Sequence, residues 1–218
     1  MNRFVNEFSK YAGASLARQV RFADYLGDRG FSLDLDAGQA RFGDDLVHPV
    51  QLIGLEVNTS WTWAWHNPDS WFDDNLFAAA KRVKSYGEQH SLKELTTGHY
   101  ELTEFNGFVL AMFAAGICDG GFFYRCPTAE GSIYFLVNDV PTTVDSKLPF
   151  EQIAPMIAQT LAGFDVQHRV FAEAFLTDQG FSLEKDPNQL RAVTPTGERV
   201  MIEFDSQDRI SVLKQSTA

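Results

Sequence analysis

Apolar residues recur along this chain with two different periods, and the changes from one period to the other mark out its elements. Val5, Phe8, Ala12, Leu16, Val20, Ala23 and Leu26 are spaced by three and four, which predicts one amphipathic helix over about 4–28 with Gly30 as its C-terminal cap. Alternation follows. Phe31-Ser-Leu-Asp-Leu-Asp and Gln39-Ala-Arg-Phe-Gly read as two short strands across the Ala37-Gly38 turn, and a third strand covers about 48–57. The next run, 61–67, carries three of the four tryptophans and alternates them with small or polar residues. As a strand it sets Trp61, Trp63 and Trp65 on one face and Thr62, Ala64 and His66 on the other. A helix would scatter those rings.

Asn67-Pro68-Asp69-Ser70 breaks the tryptophan strand and supplies N-cap types, after which Leu76, Phe77, Ala80, Val83 and Tyr86 describe a second helix closing near Gly87. A very apolar third helix runs from Leu102 or Thr103 to Gly116, with Phe105, Val109, Met112 and Phe113 as its expected buried set. A hairpin then pairs 122–126 with 132–138. Pro155 sits where a first-turn proline would, and Ile157, Leu161, Phe164, His168, Phe171 and Phe175 predict a long helix to about Asp178. Four further strands are expected at 181–185, 189–193, 198–204 and 209–214.

The end of the chain repeats its beginning. Phe22 to Arg41 aligns with Phe171 to Arg191 with one inserted residue, around an Asp-x-Gly-Phe-Ser-Leu core shared by 28–33 and 178–183. The expected fold class is therefore α+β: a duplicated unit of long helix plus four-stranded antiparallel meander, the first copy extended by two helices and a β-hairpin. The corresponding domains are 1–140, which carries the tryptophan strand, and 148–218, which keeps the alternation in Arg209-Ile-Ser-Val-Leu-Lys but no indole.

Composition narrows the function classes. With 44% hydrophobic and 13% aromatic residues, 19 of them Phe, the chain can furnish a real core, so the aromatics argue for structure before ligands. Eighteen basic against 29 acidic side chains leave a net charge of −11, a field that repels nucleic-acid backbones and anionic membrane surfaces. The basic run Lys81-Arg-Val-Lys84 fits the C-terminal half of a helix, where cations complement the dipole. No stretch reaches the roughly 20 apolar residues of a membrane span, and the first ten residues hold no apolar run of the signal-peptide kind. The expected compartment is the cytoplasm, with Cys118 and Cys126 reduced.

Residues that could carry chemistry are few. The indole row is either core or, where an edge is left open, a stacking floor for a small molecule or a partner's side chain. His66 and Asn67 at its end offer an imidazole and an amide at a pocket mouth, and Cys118, Asp119 and His99 are the one set supplying a nucleophile, a base and an orienter. The histidines at 48, 66, 90, 99 and 168 show no i, i+4 pair, and His99-x-Glu101 supplies only two ligands, so no metal or cofactor is expected. His168, within an apolar stripe, reads as a core histidine with one satisfied nitrogen. Gly120-Gly121 follows a helix and precedes a strand, the reverse of a dinucleotide loop.

Leu52-Ile53-Gly54, the run Thr59 to Asn67, and the later Gly121-Phe-Phe-Tyr-Arg-Cys-Pro and Ile133-Tyr-Phe-Leu together resemble a bacterial domain family of unknown function with a Leu-Gly…Trp-x-Trp-x-Trp-x-Asn signature, over about 20–140. The resemblance implies no activity and puts emphasis on Gly54, Trp61, Trp63, Trp65 and Asn67. Taken together, these readings favour a non-catalytic binding or interaction protein using Trp61, Trp63, Trp65, His66 and Asn67, its partner a small molecule or protein. The alternatives are a small hydrolase with His66, Asn67 and Cys118 in a pocket, and a homodimer built on an exposed sheet edge.

Overall fold

The computed structural model describes residues 2–66, 73–118 and 121–217. These form six α-helices with two antiparallel sheets of seven and four strands, a mixed α+β architecture as expected. The chain divides into two units, Arg18–Asp145 and a second one combining Met1–Ala17 with Ser146–Ala218. The first helix, α1 (Arg3–Leu26), runs through that division. It starts where the Asn2 side chain accepts the Phe4 N–H at 3.0 Å.

In the unit Arg18–Asp145, α1 ends earlier than predicted. Gly27, not Gly30, takes the left-handed conformation (φ 55°) and donates to the Ala23 carbonyl, because it is the first residue without a Cβ that the turn reaches. Gly30 instead accepts the Gly43 N–H at 2.7 Å. Leu26 is buried as expected, but Val20 and Ala23 are exposed and Phe22 is buried instead. Phe22 packs against Phe42 and Phe122. Then come β1 (Phe31–Asp34), β2 (Gln39–Phe42), β3 (Leu46–Val57) and β4 (Ser60–Trp63). The twelve-residue β3 organises the sheet: it pairs with β2 through Leu46–Pro49, with β4 through Gly54–Val57, and with β7 (Gly131–Val137) from Val50 to Val57. A register shift between Leu52 and Gly54 leaves Ile53 bulged and buried.

That irregularity bears on the tryptophan run, which is a strand only to Trp63. The Trp63 N–H donates to Gly98 O, its cross-strand partner is Gly54 beside the bulge, and Ala64–His66 then coil into a 3₁₀ turn. The expected N-caps at 67–70 lie outside the described residues. Asp73 caps a 3₁₀ turn, Asp74–Phe77, that leads into α2 (Ala78–His90). Gly87 lies inside α2, where a Cβ would stand 2.7 Å from Leu95 Cβ, and the helix runs on to stop at Ser91, which is left-handed. The short α3 (Lys93–Thr96) and β5 (His99–Glu101) follow. The apolar helix α4 (Gly107–Ile117) begins later than Leu102 because Asn106 caps it, accepting the Val109 N–H at 3.0 Å. Leu110, Ala111, Met112 and Phe113 are fully buried, while Phe105 and Val109 are only half-buried. The hairpin of β6 (Phe122–Pro127) and β7 closes the sheet onto β3.

In the other unit, the single long helix expected to Asp178 is two, α5 (Ile153–Gly163) and α6 (His168–Asp178). The apolar stripe continues through the break, which hid it. Gly163 ends α5, Phe164 is extended, and the Gln167 N–H is taken by Ser9 Oγ at 2.7 Å. Pro155 is the third residue of α5, still in the first turn where its missing N–H costs nothing. His168 is half-buried at the start of α6, and its Nδ1 accepts the Ile210 N–H at 3.1 Å. Desolvation, then the nearby Arg209, push its pKa down. The strands β8 (Ser182–Asp186), β9 (Gln189–Val193), β10 (Arg199–Phe204) and β11 (Ile210–Ser216) form the second meander. The stretches that match in sequence differ in turn: Asp34 pairs Gln39, whereas Asp186 pairs Gln189. The shift is two residues, one full strand period, so Ala40 and Leu190 both stay inside.

Gly54 is the backbone position on which the first unit is least forgiving. A Cβ there would lie 2.5 Å from the Trp61 ring and 2.7 Å from the Thr62 carbonyl, and neither can retreat. We expect Gly54→Ala to lower stability by about 1–3 kcal/mol in urea unfolding, while Gly163→Ala, with nothing within 4 Å, changes it by less than about 1 kcal/mol.

Candidate functional site

The tryptophan row separates into two buried rings and one half-exposed ring. Trp61 and Trp63 are 0% exposed, packed edge to face at 5.2 Å, and Trp61 also meets Tyr134 at 5.2 Å. Trp63 Nε1 donates to the Glu94 carbonyl at 2.9 Å. Burying two indoles is a dominant packing term, and it leaves neither ring face as a floor for a ligand. Trp65 stands on the 3₁₀ turn, half-buried, with Lys84 Nζ 4.5 Å over its ring. His66 is exposed beside it and lies against Gly98, where a Cβ would come within 2.2 Å of the imidazole. Asn67 lies outside the described residues, as does Asp119.

Below the row is a polar cluster. The Tyr134 hydroxyl donates to Glu56 Oε2 at 2.6 Å, and the Gly107 N–H at the start of α4 donates to Glu56 Oε1 at 3.3 Å. A carboxylate at a helix N-terminus is well placed electrostatically. Burial, followed by the Glu56 hydrogen bond and charge, pushes the Tyr134 pKa well above the ordinary tyrosine value. Gly107 must be glycine here, since a Cβ would press on the Glu56 carboxylate at 2.7 Å.

His99 sits at the sheet edge. Thr62 Oγ1 is 3.0 Å from His99 Nδ1, and Glu101 Oε1 is 3.6 Å from His99 Nε2. The residue types match a hydroxyl–imidazole–carboxylate relay, but the His99 and Glu101 side chains are 55% and 65% exposed. Water then competes for each bond and screens each charge, which weakens the relay.

A concave feature of this unit lies elsewhere. A cavity of about 510 Å3 is walled by the start of α2 (Ala79, Arg82), the end of α4 (Cys118), Phe122 of β6 and the segment 138–145 that follows β7. Its size falls in the range of small-molecule sites. Its floor is apolar, through Phe122, Leu136 and Val137, and its rim polar, through Gln51, Asn138, Asp139 and Thr142. Arg18 Nε donates to Asp145 at 2.8 Å, so one rim carboxylate is already paired. Among the described residues, Cys118 is the one member of the sequence-derived set found here. Its thiol faces the Ala79 carbonyl at 3.8 Å, a weak bond tying the end of α4 to α2.

The rim is held from behind by a residue that sequence reasoning passed over. His48, 5% exposed, has Nδ1 3.2 Å from the Asn138 carbonyl and Nε2 3.2 Å from the Tyr25 hydroxyl. A carbonyl only accepts, so Nδ1 carries the proton and Nε2 accepts from Tyr25. With the Asn138 N–H donating to Pro49 O, both backbone groups of Asn138 are fixed. The signal in the sequence was faint: His48 is an inward position of an alternating strand, where an imidazole needs partners for both nitrogens.

A model described as a family of unknown function (DUF6882) matches residues 6–140. That match covers the stretch of about 20–140 over which the chain resembles a family of unknown function. No curated protein and no solved structure matches the chain. Among the described residues, no helix is long and apolar enough to cross a membrane, and no group of three or more metal-binding side chains occurs.

Two outcomes follow from the geometry. In a Trp71→Phe variant, iodide should leave Trp61 and Trp63 fluorescence unquenched and reach only a minor fraction from Trp65; full quenching would mean the two rings are open. The Tyr134 hydroxyl has a higher pKa folded than unfolded, so the stability it adds is complete below about pH 10 and falls as pH rises through the folded value. Tyr134→Phe should flatten the alkaline limb of the unfolding curve.

Proposed function

Since the chain belongs to this family of unknown function, we propose from its geometry that the unit Arg18–Asp145 is a non-catalytic binding module holding a small polar ligand in the cavity bounded by α2, Cys118 and residues 138–145. The observation that carries the reading is the cavity itself: about 510 Å3, apolar at the floor, and polar at the rim, where His48 holds the backbone of one group, Asn138, in place. That combination of apolar contact area with a few oriented polar groups is what small-molecule recognition uses. In this reading Trp61 and Trp63 support the sheet from within and supply no contact surface. A hydrolase built on His66, Asn67 and Cys118 finds less support, because Cys118 lines the cavity while His66 packs against Gly98 and is not among the described residues around it. The same proposal takes the protein to be bacterial and cytoplasmic, with its thiols reduced.

The test is a thermal-shift screen of polar metabolites against the full chain and a Thr142→Trp variant. Thr142 is an exposed rim residue, so the bulk enters the cavity mouth without disturbing the core. A true ligand at a hundred times its Kd stabilises the native state by about 2.7 kcal/mol, and that gain should vanish in Thr142→Trp while the unliganded melting temperature stays within a few degrees. Hits that bind the variant undiminished, or no hit at all, would overturn the reading.

A further inference from the structure

Two neighbouring residues at the start of α6 hold the turn between β10 and β11, and they hold it by different chemistry. Arg169 Nε donates to the Asp208 carboxylate at 2.8 Å, its other nitrogens reach the carbonyls of Asp186 and Pro187 in the turn between β8 and β9, and its guanidinium lies 4.1 Å from the centre of the Phe204 ring. That anchor carries a fixed charge, since arginine stays protonated up to about pH 12. His168 supplies the other anchor. A backbone N–H only donates, so the Ile210 N–H, 3.1 Å from Nδ1, requires a bare nitrogen there: the imidazole is neutral, with its proton on Nε2. Ile210 is the first residue of β11, an edge strand of its sheet, and the register of β10 against β11 shifts beside it, between Glu203 and Phe204.

Protonation removes the His168 bond outright. An imidazolium carries N–H at both ring positions, so Nδ1 then faces the Ile210 N–H donor to donor. The charged groups around the ring divide. Burial first and Arg209 of the turn second disfavour a positive charge, as does the N-terminal end of α6, and together they outweigh Asp205 of the turn and Asp165 before the helix. Arg169 and Asp208 pair with each other. We infer that His168 is a pH-operated latch on the β10–β11 turn, closed while the imidazole is neutral and released when it is protonated. Release frees the start of β11, while Arg169 keeps the Asp208 end of the turn on α6. The Asp205 carboxylate, accepting the Gln207 and Arg209 N–H groups at 2.8 and 3.0 Å, keeps the turn itself folded. Because the folded pKa lies below the unfolded one, the latch contributes fully above about pH 6.5 and is lost as pH falls through the folded value.

The test follows the full chain by NMR from about pH 7.5 downward. The Cε1–H resonance of His168 gives its titration, the nitrogen resonance of Nδ1 shows whether that atom is bare at the starting pH, and hydrogen exchange of the Ile210 amide, corrected for its intrinsic pH dependence, reads the latch. Nδ1 should be bare, and protection at Ile210 should fall by about tenfold or more with the midpoint of the His168 titration, while the Gln207 and Arg209 amides change by less than about twofold. In His168→Asn the side-chain oxygen stands where Nδ1 was and accepts without titrating, so Ile210 should stay protected throughout that range; in His168→Ala its protection should be lost at every pH. A proton on Nδ1 at the start, protection at Ile210 that stays flat while His168 titrates, or an equal fall in His168→Asn would each overturn the latch. Should His168→Asn not fold, the state of Nδ1 and the coincidence of the two midpoints in the unsubstituted chain decide.

Discussion

Trp61 can lie against β3 only because position 54 has no side chain. The indole occupies the space a Cβ would need, Trp63 packs edge to face against it, and Gly54 pairs with both Trp63 on β4 and Tyr134 on β7. One missing methyl group thus lets the longest strand be flanked closely on both sides. Glu56, two residues on, meets Tyr134 from β7 and the first N–H of α4, so the apolar helix is held at its start by the strand that the glycine leaves accessible. Interiors are packed as densely as organic crystals, which is why so small a group can control so large a contact.

The same economy separates support from surface. The tryptophan run is spent on the core as far as Trp63, where two indoles and the aromatic cluster of Phe22, Phe31, Phe42 and Phe135 hold the sheet. In the proposed site the polar groups stand at the rim, and one of them, Asn138, has its backbone fixed. His48 shows how: a buried imidazole with both nitrogens bonded locks the strand-end carbonyl of Asn138, a residue of that rim. A rigid scaffold behind a polar loop is the usual arrangement for a binding site.

The charge distribution adds a direction. The chain's net charge of −11 lies mostly in the unit Arg18–Asp145, where acidic side chains outnumber basic ones two to one. Several of these carboxylates already have partners, as Asp145 has in Arg18 and Asp45 in Arg29, which holds its pKa below the usual range. Asp36 and Asp73 line a smaller cavity of about 330 Å3, with no cation among its described lining residues.

Much of this fold was legible in the residues themselves, because period, caps and turn types are local. The antiparallel order β1 to β4, the hairpin β6–β7 and the second meander all follow from alternation and Gly, Pro, Asn and Asp placement. Where the reading strayed, a distant partner made the decision. Phe164 and Val166 continue an apolar stripe, but Ser9 takes the Gln167 N–H and the helix breaks there. Trp65 continues an alternation, but β3 bulges at Ile53 and the strand ends at Trp63. The cavity was beyond sequence reasoning, since its walls come from β3, α2, the end of α4, β7 and the segment after it. By itself the sequence determined most of the elements, the antiparallel pairing of chain neighbours and a resemblance to a family of unknown function; tertiary structure alone decided which aromatics are core, that β7 pairs with β3, and where a ligand-sized space remains. The physical reason is that secondary structure is specified by neighbours a few residues apart, whereas burial and cavities depend on contacts between segments that no local pattern relates.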